Sequence, residues 1–233
     1  MTKKPALNRP QTTVVLAMSV DGKITDIKRS PANFGSPNDK AHLENQVALA
    51  DGILFGAGTL RSGGTAMRVS NPELIKQRES LGKPQQPVQI VCSRGGNIDR
   101  QFKFFDQPIP RWLLTTSAGA QPWEGRPEFE RVLVVETPDG EIEWHEALHQ
   151  MAQLGLRHLS VLGGGELVAS LLEEDLIDEF WLTVCPLIFG GTQAPTPVEG
   201  AGFLSHQAKR LELLSVETIE QEIFLHYRLH SNQ

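Results

Sequence analysis

Short apolar runs alternate along most of the chain with segments in which apolar residues recur at helical spacing. The runs at 13–18 and 53–55 are typical of buried strands, and Ser36-Pro37 between them is a typical helix start. Further strands are predicted at 88–92, 111–115, 131–136, 159–162 and 180–184, and further helices at 72–81, 144–154 and 167–172. This alternation indicates βαβ units, and therefore a largely parallel sheet covered by helices.

The C-terminal part of the chain has a different pattern. From 223 to 229 apolar side chains occupy every second position, which predicts an antiparallel final strand with 211–219 as its partner. The segment 63–72, rich in Gly and polar residues, is a predicted loop. We therefore expect an α/β fold with a mostly parallel central sheet, flanking helices and an antiparallel C-terminal strand. A single domain over 1–233 is the simplest organisation, with residues 1–11 as a flexible N-terminal segment.

Composition restricts the partners and the compartment of this domain. The formal net charge of −6 argues against nucleic acid, because proteins that bind polyanions usually carry a basic excess. The apolar run from Val14 to Met18 is too short for a signal peptide, and no stretch approaches the roughly 18 apolar residues of a membrane span. Cys92 and Cys185 lie far apart, which suits a reducing compartment. We expect a cytoplasmic protein without nucleic-acid or membrane partners.

Two glycine-rich turns follow predicted strands. The three glycines at 163–165 precede a predicted helix, so that the backbone can approach a ligand closely and free N–H groups can face an anion such as a pyrophosphate. Gly-Ala-Gly-Thr at 56–59 is a second turn of this kind, although tight packing of a strand into a helix remains the alternative for either. Neither turn completes the Rossmann fingerprint, because Arg61 and Val168 stand where a third glycine or alanine is needed, and the Walker lysine is missing.

Polar residues at two other strand ends are candidate ligand contacts. Ser93-Arg94 pairs a hydroxyl with a guanidinium, which suits the adenosine 2′-phosphate of NADP, and the alternative is a solvated arginine in a surface turn. Asp21 is a candidate polar group facing a substrate, and the alternative is a turn-forming Asp-Gly pair. His42-Leu-Glu44 matches half of a zinc deaminase signature, but the Pro-Cys-x-x-Cys half is missing. No metal site is therefore predicted.

Three segments together resemble the reductase family of riboflavin biosynthesis, whose fold is related to that of dihydrofolate reductase. They are 16–24 (LAMSVDGKI), 50–60 (ADGILFGAGTL) and 161–191, which contains VLGGGEL, LIDEF and CPLIFGG. The likeness covers nearly the whole chain. The family includes the C-terminal reductase domain of a bifunctional deaminase/reductase and stand-alone reductases of the archaeal type. The resemblance implies a dihydrofolate-reductase-like fold, an NADPH-dependent oxidoreductase that acts on a small molecule, and a homodimer.

The resemblance also implies a reaction and a set of site residues. Hydride from the nicotinamide would reduce the ribosyl group of 5-amino-6-(5-phosphoribosylamino)uracil, or of a closely related pyrimidine, to a ribityl chain. Asp21 or water would supply the proton. Separately from the resemblance, Arg68 near the 63–65 loop is a candidate for holding the substrate phosphate, and the alternative is a surface arginine. The implied substrate contacts are Ser19 and Asp21, and the implied cofactor contacts are Ala17, Gly56, Thr59, Ser93, Arg94, Gly163, Gly164, Gly165, Glu166 and Leu167.

Three positions depart from the family pattern. Gly-Gly-Thr at 63–65 stands where many members have Asp-Asp-Pro, Leu162 replaces a glutamate, and Val15 replaces the lysine of bacterial fusions. Two missing carboxylates remove hydrogen bonds of about 0.5–1.5 kcal/mol each, so altered substrate recognition is expected beside an intact cofactor site. Two alternatives remain open: a reductase of the same fold acting on a pterin or a small carbonyl compound, and a non-catalytic nucleotide-binding protein.

Overall fold

A computed structural model describes residues 8–230 of the protein. In this range the strands are β1 (Gln11–Ser19), β2 (Gly52–Gly56), β3 (Val88–Cys92), β4 (Arg111–Thr115), β5 (Arg131–Val134), β6 (His158–Val161), β7 (Glu179–Cys185), β8 (Leu211–Ile219) and β9 (Glu222–Leu229). The helices are α1 (Pro37–Leu49), α2 (Ala57–Gly63), α3 (Pro72–Ser80), α4 (Ser117–Ala120), α5 (Trp144–Gln153) and α6 (Gly165–Glu173), with 3₁₀ turns at Lys103–Asp106 and Gln121–Trp123.

The strands form a single nine-stranded sheet in the order β5-β4-β3-β2-β6-β1-β7-β9-β8. Strands β1 to β7 run parallel to one another, whereas β9 is antiparallel to both β7 and β8. The predicted α/β fold, with a mostly parallel sheet, flanking helices and an antiparallel C-terminal strand, is confirmed.

Helices cover both faces of the parallel part of the sheet. On one face α5 and α6 pack through Leu148, Met151 and Leu171, and on the other α1 and α2 pack through Val47 and Leu60, all with 0% exposure. Strands covered on both faces are apolar at successive positions. The uninterrupted apolar runs that predicted the central strands therefore follow from this layering.

Helix α1 begins where the sequence indicates. The Ser36 hydroxyl accepts hydrogen bonds from the backbone N–H groups of Asn38 and Asp39, and Pro37 occupies the first turn. The side chain of Asn71 caps α3 in the same way. The Ser36 cap fixes the first turn of α1 beside the sheet, which positions one wall of the candidate site.

Two local features differ from the sequence-based expectation. The residues after β2 form helix α2, which extends to Gly63, although glycines lower the helix propensity of this segment. Burial of Ala57 and Leu60 stabilises the helix in the folded protein. In β9 the buried apolar residue is Phe224, whose ring lies against that of His42 on α1, whereas Ile223 is 39% exposed.

The start of β1 is tied to the start of β7. The Arg9 guanidinium forms an ion pair with Asp178 at 2.7 Å, and the N–H of Thr12 donates to the same carboxylate at 2.8 Å. Of the expected flexible segment 1–11, residues 1–7 lie outside the described range, and Gln11 already belongs to β1.

Three other expectations can be compared with the structure. Cys92 and Cys185 are free thiols, and burial raises the pKa of each to about 12, so that neither is a thiolate at neutral pH. Among residues 8–230, no helix is long and apolar enough to cross a membrane. Over the same range, no three His, Cys, Asp or Glu side chains are grouped so that they could hold a metal ion.

Candidate functional site

A cleft of about 470 Å³ opens at the carboxyl edge of the sheet, where β1, β2 and β6 end. Strand β2 lies between β3 and β6, so the turns that follow these three strands are neighbours, and ligands of open parallel sheets bind at this edge. Residues that line the cleft include Ala17, Asn33, Asp39, Thr59, Gly163 and Gly164. A larger hollow of about 780 Å³ at the β5 edge, beside Trp123 and Arg131, lies away from these turns. We therefore place the candidate site in the smaller cleft.

The two glycine turns predicted from the sequence are in direct contact. The N–H of Gly56 donates to the carbonyl of Gly163 at 3.0 Å. The Thr59 hydroxyl lies over the second turn, 3.8 Å from the position that a Cβ would take at either Gly163 or Gly164. Thr59, Gly163 and Gly164 line the cleft, and Gly56 forms its edge through this hydrogen bond. At the paired turns the cleft wall therefore consists of exposed main-chain atoms and the Thr59 hydroxyl.

Two helices begin at these turns, and both begin without a side-chain cap. Gly56 is the N-cap of α2 and Gly164 is the N-cap of α6, and neither position supplies a side-chain acceptor. The first-turn N–H groups of a helix are available to an anion when no cap occupies them. This arrangement favours a ligand that carries phosphate, such as a dinucleotide.

The remaining residues of the 163–167 segment have other surroundings. A Cβ at Gly165 would overlap the carbonyl of Thr196 and the side chain of Glu199, and the Glu199 N–H donates to the Gly165 carbonyl at 3.1 Å. Glycine at 165 therefore allows the 196–199 segment to pack on α6. The Leu167 side chain belongs to the hydrophobic core, so only its backbone is available at the helix start.

Ser93 and Arg94 follow β3, one strand beyond the first glycine turn. The hydroxyls of Thr115 and Thr116 donate to the Arg94 carbonyl at 3.2 and 2.8 Å, which fixes the loop backbone. The Arg94 guanidinium is largely exposed and forms an ion pair with Glu141. Exposed ion pairs contribute little to stability, so this pairing leaves the guanidinium available to a phosphate. Neither residue lines the cleft, but both lie at the same sheet edge.

The end of β1 contributes Ala17 to the cleft, whereas Ser19 and Asp21 form a separate cluster. The Asp21 carboxylate accepts hydrogen bonds from the Ser19 hydroxyl at 2.6 Å and from the N–H groups of Phe189 and Gly190 at 3.2 and 2.7 Å. The Ser19 hydroxyl, followed by these N–H groups, lowers the pKa of Asp21. This environment favours an ionised carboxylate that anchors the loop after β7.

The end of α2 and the residues that follow it place Ser62, Gly63 and Thr65 on the cleft, which therefore has no carboxylate on this side. Arg68 is exposed and lies outside the lining, and Leu162 contributes an apolar wall.

Asp39 is a cleft residue that the sequence did not single out. It lies in the first turn of α1, where an acidic residue is common because it interacts favourably with the helix dipole. Burial raises the pKa of Asp39, the Thr183 hydroxyl opposes this shift through a hydrogen bond, and the charge of Glu222 adds to it. No local pattern marks Asp39 in the sequence, since its neighbours on β7 and β9 are distant along the chain.

Comparison with known proteins identifies relatives that align with most of the chain. Residues 10–225 match the model of the family described as the RibD C-terminal domain. The protein is 29% identical over 212 residues to the 2,5-diamino-6-ribosylamino-4(3H)-pyrimidinone 5′-phosphate reductase of Archaeoglobus fulgidus. That alignment covers 91% of this chain and 94% of the relative.

Solved structures establish the fold class independently. A pyrimidine reductase-like protein from Corynebacterium diphtheriae aligns with a TM-score of 0.82 at 21% identity, covering 97% of this chain and 94% of that one. Dihydrofolate reductase from Enterococcus faecalis, solved with NADP(H), aligns with a TM-score of 0.52 at 15% identity, covering 95% and 99%. At these identities the likeness confirms the dihydrofolate-reductase-like fold.

Proposed function

Since the chain belongs to the RibD C-terminal domain family, we propose that it is an NADPH-dependent reductase of riboflavin biosynthesis. Its substrate would be a 6-ribosylamino-pyrimidine 5′-phosphate: 5-amino-6-(5-phosphoribosylamino)uracil or the 2,5-diamino-pyrimidinone for which the archaeal relative is named. The observation that carries this proposal is the contact between the two glycine turns at the edge of the cleft. Free thiols at Cys92 and Cys185 are consistent with activity in the cytoplasm.

The residues at the cleft fit NADPH. The backbone at Gly56, Gly163 and Gly164, with the uncapped N–H groups of α2 and α6, suits a pyrophosphate. Gly165, Glu166 and Leu167 would contribute through the first turn of α6, and Ala17 and Thr59 through the cleft wall. Ser93 and Arg94 would hold the 2′-phosphate, because a guanidinium pairs well with phosphate oxygens.

When bound, NADPH supplies the hydride that reduces C1′ of the ring-opened ribosylamino group, while the attached nitrogen takes up a proton. The protein contributes position and a shielded environment. The apolar side chains of Leu16, Phe55 and Leu162 line the cleft and limit the access of water to the reacting groups.

The substrate contacts Ser19, Asp21 and Arg68 stay predictions. The lowered pKa of Asp21 favours the ionised carboxylate that anchors the loop after β7. An ionised carboxylate has no proton to donate, so the anchoring role argues against Asp21 as the proton donor. A proton from water satisfies the reaction equally well. Arg68 is exposed and follows Met67, which lines the cleft, and its guanidinium would pair well with a phosphate bound there.

Two measurements test the proposal. Quenching of protein fluorescence by NADPH measures cofactor binding, and the loss of NADPH absorbance with each of the two pyrimidine substrates measures turnover. We expect binding and turnover of at least one substrate. Binding without turnover would favour another substrate of the same fold or a non-catalytic nucleotide-binding protein, and the absence of binding at millimolar NADPH would contradict the cofactor assignment.

We also propose a homodimer that pairs through the outer face of β8 and β9. Register places Leu211, Leu213, Val216 and Ile223 on one face of this hairpin, and all four are between 39% and 54% exposed. An apolar sheet face of this kind typically marks an interface. Sedimentation velocity should show a dimer, and Leu213→Glu with Val216→Glu should give monomers. Glu217→Gln on the opposite face is the control, and a monomeric wild-type protein would contradict the proposal.

A further inference from the structure

Asp39 is the one ionisable residue among those that line the cleft in the described part of the chain. Its position is built from several elements. Ser36 caps α1 and thereby fixes the turn that carries Asp39. Burial raises the pKa of the carboxylate, and the Thr183 hydroxyl on β7 opposes this shift. A Cβ at Gly35 would overlap the carboxylate, so glycine at this position leaves room for it. The carboxylate is thus held at a defined point of the cleft wall.

The surroundings of this carboxylate leave it without a positive partner. Glu222 lies close enough to raise the pKa of Asp39, and its own oxygens already accept hydrogen bonds from the Ser36 N–H at 2.8 Å and the Ser36 hydroxyl at 2.5 Å. Within residues 8–230 no cation contributes to the pKa of Asp39. A half-buried carboxylate that has no cationic partner is stabilised by a ligand that presents hydrogen-bond donors to it.

We propose that Asp39 determines substrate specificity by accepting hydrogen bonds from the N3–H and the 2-amino group of a 2-aminopyrimidin-4-one. These two donors are adjacent on one edge of the ring and match the two oxygens of a carboxylate. A uracil presents the N3–H beside the O2 carbonyl, which repels the second carboxylate oxygen. The inference rests on the proposed reductase function and selects between its two candidate substrates the one that still carries the 2-amino group.

The test compares both substrates, 2,5-diamino-6-ribosylamino-pyrimidinone 5′-phosphate and its uracil counterpart, with wild type and Asp39→Asn. Wild type should favour the diamino compound in kcat/KM by about 10- to 100-fold, the effect of one charge-assisted hydrogen bond. In Asp39→Asn the amide oxygen still accepts from N3–H, whereas the amide NH₂ donates to O2 and faces the 2-amino group unfavourably. The variant should therefore favour the uracil. A residue with only a structural role would lower both rates and leave their ratio unchanged.

Two further variants separate specificity from folding. Gly35→Ala displaces the carboxylate without removing its charge, and it should reduce the preference for the diamino compound. Asp106→Asn removes an exposed carboxylate outside the cleft, and it should leave the ratio unchanged. Calorimetry without NADPH, using the ribityl products of both substrates, should give the same order of affinities as the kinetics.

The outcomes distinguish the two proposals. If wild type reduces neither pyrimidine, the proposed function is wrong and the role of Asp39 falls with it. If wild type reduces both equally or favours the uracil, or if Asp39→Asn leaves the ratio unchanged, the specificity role is wrong while the reductase function stands.

Discussion

Replacement of Gly164 by alanine adds one methyl group at the edge of the cleft. Gly164 has φ −86° and ψ −174°, an extended conformation that any residue adopts. The nearest atom to a Cβ at this position, outside its chain neighbours, is the Thr59 hydroxyl oxygen at 3.8 Å, an ordinary van der Waals distance. Because Gly164 lines the cleft, the methyl group would enter the space assigned to the cofactor.

The expected effects on stability and on binding therefore differ. The free energy of unfolding should change by less than about 1 kcal/mol, because replacing glycine at a compatible conformation mainly restricts the unfolded chain. A methyl group forced into a filled contact costs about 1–3 kcal/mol. The Kd for NADPH should accordingly rise by about 5- to 150-fold.

The assay is fluorescence titration of NADPH, with urea unfolding of the same preparations. Gly58→Ala is the matched control, because it keeps the first-turn N–H of α2, Gly58 does not line the cleft, and a Cβ there meets only the Arg61 side chain at 3.9 Å. The control should bind NADPH as wild type does. Wild-type affinity in a folded Gly164→Ala variant would refute the close backbone approach on which the cofactor site is argued.

Three shorter predictions follow from individual side chains. Arg78 is 1% exposed and donates to the carbonyls of Ala48, Ala50 and Pro84 at 2.6–2.8 Å, so Arg78→Met should lower the free energy of unfolding in urea by about 3 kcal/mol or more; a loss below 1 kcal/mol would contradict this. Arg94→Gln should raise the Kd for NADPH about 10-fold and leave that for NADH unchanged, whereas equal losses would argue against 2′-phosphate binding. Because hydrogen bonds hold the pKa of Asp21 below its ordinary 3.8, this carboxylate stabilises the fold above that pH and ceases to do so as the pH falls through the lower folded pKa. Asp21→Asn should therefore lower the Tm at neutral pH but not in strong acid, and an unchanged neutral Tm would contradict the anchoring role.

The parts of the fold that local chemistry determines could be predicted from the sequence. The caps at Ser36 and Asn71 are local signals, and α1 and α3 begin at the predicted residues. Helix α2 could not be predicted, because its glycines indicate a turn and only burial against the sheet stabilises it. The exposure of Ile223 could not be predicted either. It depends on which face of the β8–β9 hairpin α1 covers, and the alternation of apolar residues in β9 does not specify that face.

The difference between features set by local sequence and features set by distant packing also applies within the cleft. It predicts how the proposed cofactor-binding and substrate-binding parts respond to substitution. The part of the cleft proposed to bind the pyrophosphate consists mainly of backbone. Gly56 is hydrogen-bonded to Gly163 through main-chain atoms, and the sequence shows these glycines because close approach to a ligand requires them. The proposed substrate half depends on Asp39, whose pKa reflects Thr183 and Glu222 from distant strands. Most side-chain substitutions therefore leave the backbone half in place, whereas one substitution at Asp39 changes the hydrogen-bonding character of the other half. A protein built in this way can alter its substrate while retaining its cofactor, which fits a cleft that has Gly63 and Leu162 on its walls.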